Sequence, residues 1–366
     1  MKHRVIVINP GSTSTKVALF ENDSVIFKEN VSHDANVLKT FDDISEQLPY
    51  RKQTILDVIE NANIELANID AFVGMGGGFA SLVSGTYEVN AKMLEHAKTG
   101  FSIKNHPALL GSQLVDEFSQ TYGGRAFIVD PPDVDEFELV SRITGFNDIY
   151  RESRGHPLNQ KEVARRHAAS IGKKYEDLNL VITHIGGGVS VSAHKHGRII
   201  DSNDIAQGDG PMAPTRAGAL PATPLIKQCF SGKYTEKQML ERIIKTGGFV
   251  ELLGTSDAYE VSQKARAGSS KEKLVYDAFA YQVIKNIGAL ATALEGNVDG
   301  VLITGGIAND KDLTEKIAKS VCFIAPVTVY AGEFEMEALA AGAIRVLKGE
   351  EEPKQYTGIP VWQGLT

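Results

Sequence analysis

One pattern occurs twice in this chain, and it restricts the folds open to it more than any other feature. The β-branched run Val5-Ile6-Val7-Ile8 gives way to a small polar stretch, Asn9 to Lys16, after which Val17-Ala18-Leu19-Phe20 resumes the apolar run; a turn at Glu21 to Ser24 then leads into Val25-Ile26-Phe27. That is the signature of an antiparallel meander. The same order returns as Leu180 to His184, Gly186-Gly187-Gly188, Val189 to Ala193 and Arg198-Ile199-Ile200. Gly11 and Gly186 lie 175 residues apart in a chain of 366, so about half the length separates two equivalent openings. The repeat predicts two related domains.

Helical periodicity fills the spaces between these strands. Asn159 to Lys174 places Val163, Ala164, His167, Ala168 and Ile171 at three- and four-residue spacing, and Leu274 to Leu294 reads as a second long helix before Gly296. Val301-Leu302-Ile303 is a buried-strand candidate that Thr304-Gly305-Gly306 turns toward a helix beginning near Asp310 to Asp312, and an alanine-rich helix between Gly332 and Gly349 closes the chain. Alternating strands and helices define an α/β class.

Composition narrows the function. Thirty-eight Lys and Arg against 46 Asp and Glu give a net charge of −8, so the molecular field repels nucleic acid and anionic lipid, and an anionic substrate needs a local cationic pocket. Apolar runs are too short for a membrane span, and Val5 to Ile8 is too short for the core of a signal peptide; a cytoplasmic enzyme without nucleic-acid or membrane partners is expected. Two cysteines, Cys229 and Cys322, make neither a disulfide framework nor a zinc ligand set and are read as reduced core thiols. Glu350-Glu351-Glu352 is read as a solvated helix end, and His3, His33, His96, His194 and His196 as structural.

Three glycine-bearing loops stand at strand ends: Asn9 to Lys16, Gly186 to Gly188, and Thr304 to Gly306. Backbone N–H groups freed by glycine, with Ser and Thr hydroxyls and a lysine, can ring a phosphate. The first loop is not a Walker motif, because a strand follows it where that motif requires a helix.

Val7-Ile8-Asn9-Pro10-Gly11-Ser12-Thr13-Ser14-Thr15-Lys16, His184-Ile185-Gly186-Gly187-Gly188-Val189-Ser190-Val191 and Thr304-Gly305-Gly306-Ile307-Ala308 resemble the nucleotide-site motifs of butyrate kinases in the acetokinase family. Gly85-Thr86-Tyr87, Phe127-Ile128-Val129-Asp130-Pro131, Leu158-Asn159-Gln160-Lys161, Gly210-Pro211 with Arg216, and Cys229 to Tyr234 extend the likeness from Ile6 to about Glu352. The resemblance implies a duplicated actin-like, ribonuclease H-like fold with an interdomain nucleotide cleft. It places one domain at residues 1–131, completed by a C-terminal helix in 338–366, and the second at 132–337. It also implies a homodimer or larger assembly, and reversible phosphoryl transfer between Mg-ATP and a short- or branched-chain carboxylate, with ADP and an acyl phosphate as products.

Roles follow by motif. Arg216 is expected to hold carboxylate and phosphoryl oxygens together, and His156 to donate to the transferring phosphoryl group. His106 and His184 lie farther along the phosphate path; Asn9, Ser12, Ser14, Lys16, Gly186, Gly187, Gly188, Gly305 and Gly306 bind phosphates; Gly254 to Tyr259, Asp257 among them, borders the adenine or ribose. Asp130 helps to order magnesium together with Asn9 and Glu335, although acidic residues at a helix start also favour the helix dipole.

Three departures from the family pattern gather toward the acid and the metal. Gly74-Met75-Gly76-Gly77 carries methionine where an arginine is expected to meet the acyl carboxylate; Arg154-Gly155-His156 stands where the family has Ile-Phe-His; and Phe334 replaces a polar residue. We expect Arg154 to replace part of the missing guanidinium and Gly155 to open the acyl pocket to an acid larger or more polar than butanoate. Met75 supports an alternative: a catalytically impaired nucleotide-binding paralogue with a regulatory or assembly role. A third reading keeps only the fold, with sugar phosphorylation or filament formation, but Asn9 stands where sugar kinases carry an aspartate.

Overall fold

The structure, a computed structural model, describes residues 2–365. Two compact units divide the chain, one comprising the residues up to Asp135 together with those from Phe334 onward, the other Glu136–Glu333. Both are mixed sheets flanked by helices, and they share one strand order.

In the first unit, β1 (Arg4–Pro10), β2 (Ser14–Glu21) and β3 (Ser24–Ser32) form the expected meander, and β4 (Ala71–Gly74), β5 (Thr86–Glu88) and β6 (Arg125–Val129) extend it. The sheet runs Lys354–Gln355, β5, β6, β4, β1, β2, β3. Strand β1 pairs antiparallel with β2 and parallel with β4. The second unit repeats this: β7 (Asn179–Ile185) pairs antiparallel with β8 (Val189–Lys195) and parallel with β10 (Gly300–Gly305), while β9 (Arg198–Ser202) and β11 (Val327–Ala331) take the edges. The order 3-2-1-4, counted within each unit and continued by one more parallel strand (β6 in the first, β11 in the second), is common to both sheets, as the duplicated actin-like fold requires.

The reason is local. Val5 to Ile8 and Leu180 to Ile185 are apolar or β-branched almost without interruption, so β1 and β7 are sealed on both faces and must be central. Phe72, Phe118 and Leu114 fill the core beside β1; Phe249, Phe279 and Val283 do so beside β8 and β10.

Several boundaries differ from expectation. The helix placed at Asn159 starts at Pro157, where proline loses nothing by lacking an N–H in the first turn, and ends at Ser170. The second long helix covers Ser270–Ala293. Glu335–Leu347 is the alanine-rich helix, but it does not close the chain: Lys354–Gln355 pairs with β5, and the Tyr356 hydroxyl accepts from the Ala80 N–H at 2.6 Å. The acidic run is not simply solvated, because Glu351 accepts from Thr86 N and Arg345 Nε. Both cysteines are exposed rather than buried. In the helix Lys311–Val321, Leu313, Ile317 and Val321 take the inward face, which leaves Cys322 outside.

Lys161 is almost wholly buried, with its ammonium 2.8 Å from Glu136 and donating to Gly197 O. Removing one member of such a pair strands the other charge. Lys161→Met is therefore expected to cost about 3–5 kcal/mol, read as a lower denaturant midpoint, whereas Lys264→Met, at an exposed helical pair, should change little.

Candidate active site

In the first unit, β1 and β2 pair Asn9 with Lys16, which sets both side chains on one face at the mouth of the Ser12–Ser14 turn. Gly11 N–H donates to Ser14 O at 2.8 Å and tightens that turn. Asn9 Nδ2 donates to Glu335 Oε2 at 2.8 Å, where the helix Glu335–Leu347 begins. Asp130, buried and in the left-handed region at φ 39°, accepts from Ser84 Oγ at 2.6 Å and Gly85 N at 2.8 Å, so one of its oxygens fastens a neighbouring loop. Met75 follows β4, its N–H bonded to Ile8 O, and its carbonyl lies so close to Gly111 that a Cβ there would stand 1.9 Å away. His106 is exposed and accepts from Ala108 N at its Nδ1.

Sequence reasoning missed Arg51. Its fully buried guanidinium lies behind the phosphate-loop candidate, donating to Ser12 O, Ser14 O and Thr15 Oγ1. Nothing in the local sequence marks an arginine of the helix Leu48–Asn61 for that place.

The second unit brings together most of the remaining predicted residues. The imidazoles of His156 and His184 stack with centroids 3.9 Å apart and planes 15° from parallel. His156 Nδ1 lies 2.8 Å from Ser190 Oγ, and His184 Nδ1 lies 2.9 Å from Asn159 Oδ1. Two of the three glycines of the β7–β8 loop have a steric reason for lacking a side chain, whereas a Cβ at Gly187 would meet nothing within 4 Å. A Cβ at Gly186 would stand 2.9 Å from His184 Nε2, and one at Gly188 would stand 1.7 Å from Arg216 Nη1. Gly187 lines a cavity of about 720 Å³ together with Asp257, Tyr259, Arg266, Asp310 and Gly306. The loop thus runs from the cavity to the arginine and the histidines.

Gly305 ends β10 at φ 97°, and a Cβ there would meet Ile185 O at 2.4 Å, so only glycine fits. Asp257 caps the helix Ala258–Arg266 by accepting from Tyr259 N and Glu260 N. Asp310, also on the cavity wall, accepts from Tyr276 Oη at 2.8 Å and Ser262 Oγ at 2.6 Å. Sequence reading reached Asp257 and Tyr259 on this wall, within the stretch 254–259, but not Arg266 or Asp310.

Arg216 is the cation beside the stacked histidines, and burial governs the titration of all three. Burial holds the Arg216 guanidinium below its ordinary pKa, with the Asp204 charge opposing that, and Nη1 has no hydrogen-bond partner among the described residues. Burial, then the neighbouring His184 and Arg216, push His156 well below the usual imidazole range, and His184 is lowered to about 4, chiefly by burial. Burial pushes Asp204 up to about 6, while backbone N–H groups and Arg154 pull the other way. Asp204 was not anticipated; its neighbours in sequence gave no sign. Arg154 lies 3.5 Å from Glu152, and its carbonyl accepts from Ile205 N. A Cβ at Gly155 would meet only ordinary contacts, 3.7 Å or more away.

At neutral pH both stacked histidines are uncharged. The low pKa of His184 has a consequence for stability. The unfolded chain binds its proton near pH 6.5 and the folded chain only near 4, so stability falls as pH drops through that window, by about 3 kcal/mol for this group. His184→Asn should remove that part of the dependence, checked by urea titrations at pH 4.5 and 7 in both proteins.

The fold is the duplicated actin-like one. Residues 151–327 match the acetokinase family profile. Butyrate kinase 2 of Clostridium acetobutylicum is 48% identical over 97% of this chain and 100% of its own length, and Butyrate kinase 1 of that organism is 46% identical over 97% and 99%. Among solved structures, Porphyromonas gingivalis acetate kinase superposes with a TM-score of 0.77 at 19% identity, covering 94% of this chain and all of that one. Entamoeba histolytica acetate kinase gives 0.73 at 15%, over 96% and 100%. The chain belongs to the acetokinase family.

Proposed function

We propose that this protein is a carboxylate kinase of the butyrate-kinase type: ATP and a short- or branched-chain acid such as butanoate give ADP and the acyl phosphate, reversibly. The carrying observation is the junction of Gly188, Arg216 and the stacked His156 and His184. A carboxylate is nucleophilic without losing a proton, so the transfer needs alignment and charge neutralisation rather than a strong base, and the pocket supplies cations and hydrogen-bond donors. In this reading the acid's oxygen attacks the γ-phosphorus as the bond to the β,γ-bridging oxygen breaks and ADP leaves with that electron pair. Arg216 spans acid and phosphoryl oxygens, His156 donates to the phosphoryl group, and the glycine loops bind the phosphates. The cavity beside Asp257 takes the nucleoside.

Magnesium is part of this reading, and the residues suit it. Among the described residues no group of three His, Cys, Asp or Glu could hold a metal. In the first unit Glu335, hydrogen-bonded to Asn9, and Asp130 are hard carboxylate donors of the kind that an ion arriving with nucleotide phosphates and keeping its waters would use. When bound, the ion neutralises phosphate charge. A cytoplasmic location and self-association belong to the same reading; Ile226 and Phe230, at and just beyond the helix Ala222–Cys229, are 56% and 86% exposed, apolar surface that a second copy would cover.

The test is to incubate the protein with Mg-ATP, hydroxylamine and a panel of acids. Hydroxamate with propanoate, butanoate, isobutanoate or isovalerate is expected, and the ranking gives the acid. ATP binding without hydroxamate from any acid overturns the reading. Within it, Arg154→Met should lower kcat about tenfold or more while ATP affinity, measured by calorimetry, changes less than threefold; equal mild effects on both would remove Arg154 from acid recognition.

A further inference from the structure

Behind His156 lies a chain of buried polar groups that the reaction as described does not use. Gln160 is fully buried in the helix Pro157–Ser170, and its amide nitrogen faces Ile182 O at 3.3 Å, Ser190 O at 3.3 Å and Ser190 Oγ at 3.0 Å. Two of those three are carbonyl oxygens, which only accept. The amide end facing them must be the NH2, so the orientation of Gln160 is fixed by chemistry and not only by shape.

The consequences propagate in two directions. Outward from Oε1, His194 Nε2 at 3.3 Å must carry a proton, and His194 Nδ1 then accepts from the Tyr175 hydroxyl at 2.6 Å. His194 is buried, and burial and Lys161 keep it neutral, which makes that assignment consistent. Toward the site, Gln160 Nε2 donates to Ser190 Oγ. The serine proton cannot point back at a donor, and the other group within hydrogen-bonding distance of that hydroxyl, among the described residues and apart from its strand neighbours, is His156 Nδ1 at 2.8 Å. With the Gln160 amide a donor on one side, His156 Nδ1 is the acceptor open to the serine proton, and in that arrangement the imidazole's own proton sits on Nε2.

We infer that Gln160 and Ser190 are positioning residues that hold His156 as the Nε2–H tautomer, with its ring turned so that this N–H is presented to the phosphoryl group. Stacking on His184 fixes the plane of the ring but not which edge faces Ser190; a half-turn about Cβ–Cγ keeps the stack and loses the serine bond. The serine bond therefore selects both the ring edge and the tautomer. The inference rests on the proposed role of His156 only for its kinetic part, because the tautomer is a property of the free protein.

The test uses protein labelled with 15N in histidine, at pH 7.5 without ligands, and long-range proton–nitrogen correlation spectra. His156 is expected as a single tautomer with Nε2 protonated and Nδ1 bare, and His194 likewise. In Ser190→Ala the His156 Nδ1 resonance should move to that of a nitrogen without a hydrogen bond, and kcat should fall about ten- to a hundredfold with both KM values within about twofold. Ser190→Thr, which keeps the hydroxyl, should restore the wild-type resonance and kcat to within about threefold. Gln160→Met should give mixed His156 tautomers. If it does not fold, the wild-type spectrum and the two serine variants decide alone. A protonated His156 Nδ1 in the wild type, or a Ser190→Ala protein with unchanged resonance and kcat, overturns the inference. Tautomers as expected in a protein that makes no acyl phosphate from any acid would leave the positioning network standing and refute the proposed function.

Discussion

Replacing Arg216 with methionine is expected to raise the melting temperature of this protein while nearly abolishing turnover. The guanidinium is largely buried, its pKa is depressed by that burial, and Nη1 has no partner among the described residues. A buried donor left unsatisfied costs about 1–3 kcal/mol in the ligand-free fold, and methionine recovers part of it. In the proposed reaction the same donor would meet oxygens whose charge is shared between acid and phosphoryl group. Losing it there is expected to cost about 2–5 kcal/mol, roughly thirtyfold to several thousandfold in kcat. Arg216→Lys should rescue little, because a point charge cannot span two groups as a planar fork does. Thermal unfolding and steady-state kinetics on the three proteins check this. A destabilised Arg216→Met protein, or one with kcat within threefold of wild type, counts against the account.

The second large effect is expected at a residue with no chemistry of its own. A methyl group at Gly188 would sit 1.7 Å from Arg216 Nη1 and 2.8 Å from its Cζ, both at the mobile end of a long side chain. The backbone can stay and the guanidinium must leave. Gly188→Ala should therefore unfold within a few degrees of wild type yet lose about a hundredfold in kcat, the loss that misplacing a catalytic group by an ångström brings. Combining Gly188→Ala with Arg216→Met supplies the internal control. Because both act through one guanidinium, the double variant should be no slower than Arg216→Met alone, whereas independent roles would multiply the losses.

How far the sequence reached depends on what each feature encodes. The duplicated meander was legible because β1 and β7 are central strands, and a strand buried on both faces writes itself as an unbroken apolar run. The three loops were legible because glycine at a strand end has few structural reasons to repeat. Asp204 and Arg51 were not legible: each matters through what a distant segment brings beside it, and an aspartate in a loop or an arginine in a helix carries no local sign of that. Gln160 and Ser190 stood inside quoted motifs, but their role comes from a network linking one helix to two adjacent strands, which spacing alone does not reveal. The cysteines were misread as core because residue type suggested burial, whereas helix phase at Leu313, Ile317 and Val321 had already filled the inward face. The closing strand Lys354–Gln355 was missed because two residues are too few to show a period.

The most direct measurement is phosphorus NMR of the product formed from Mg-ATP and butanoate labelled with 18O in both carboxylate positions. Direct transfer to the acid's oxygen predicts ADP and an acyl phosphate whose phosphorus shows the isotope shift of one bridging 18O. AMP with pyrophosphate, or an acyl phosphate without that shift, would contradict it.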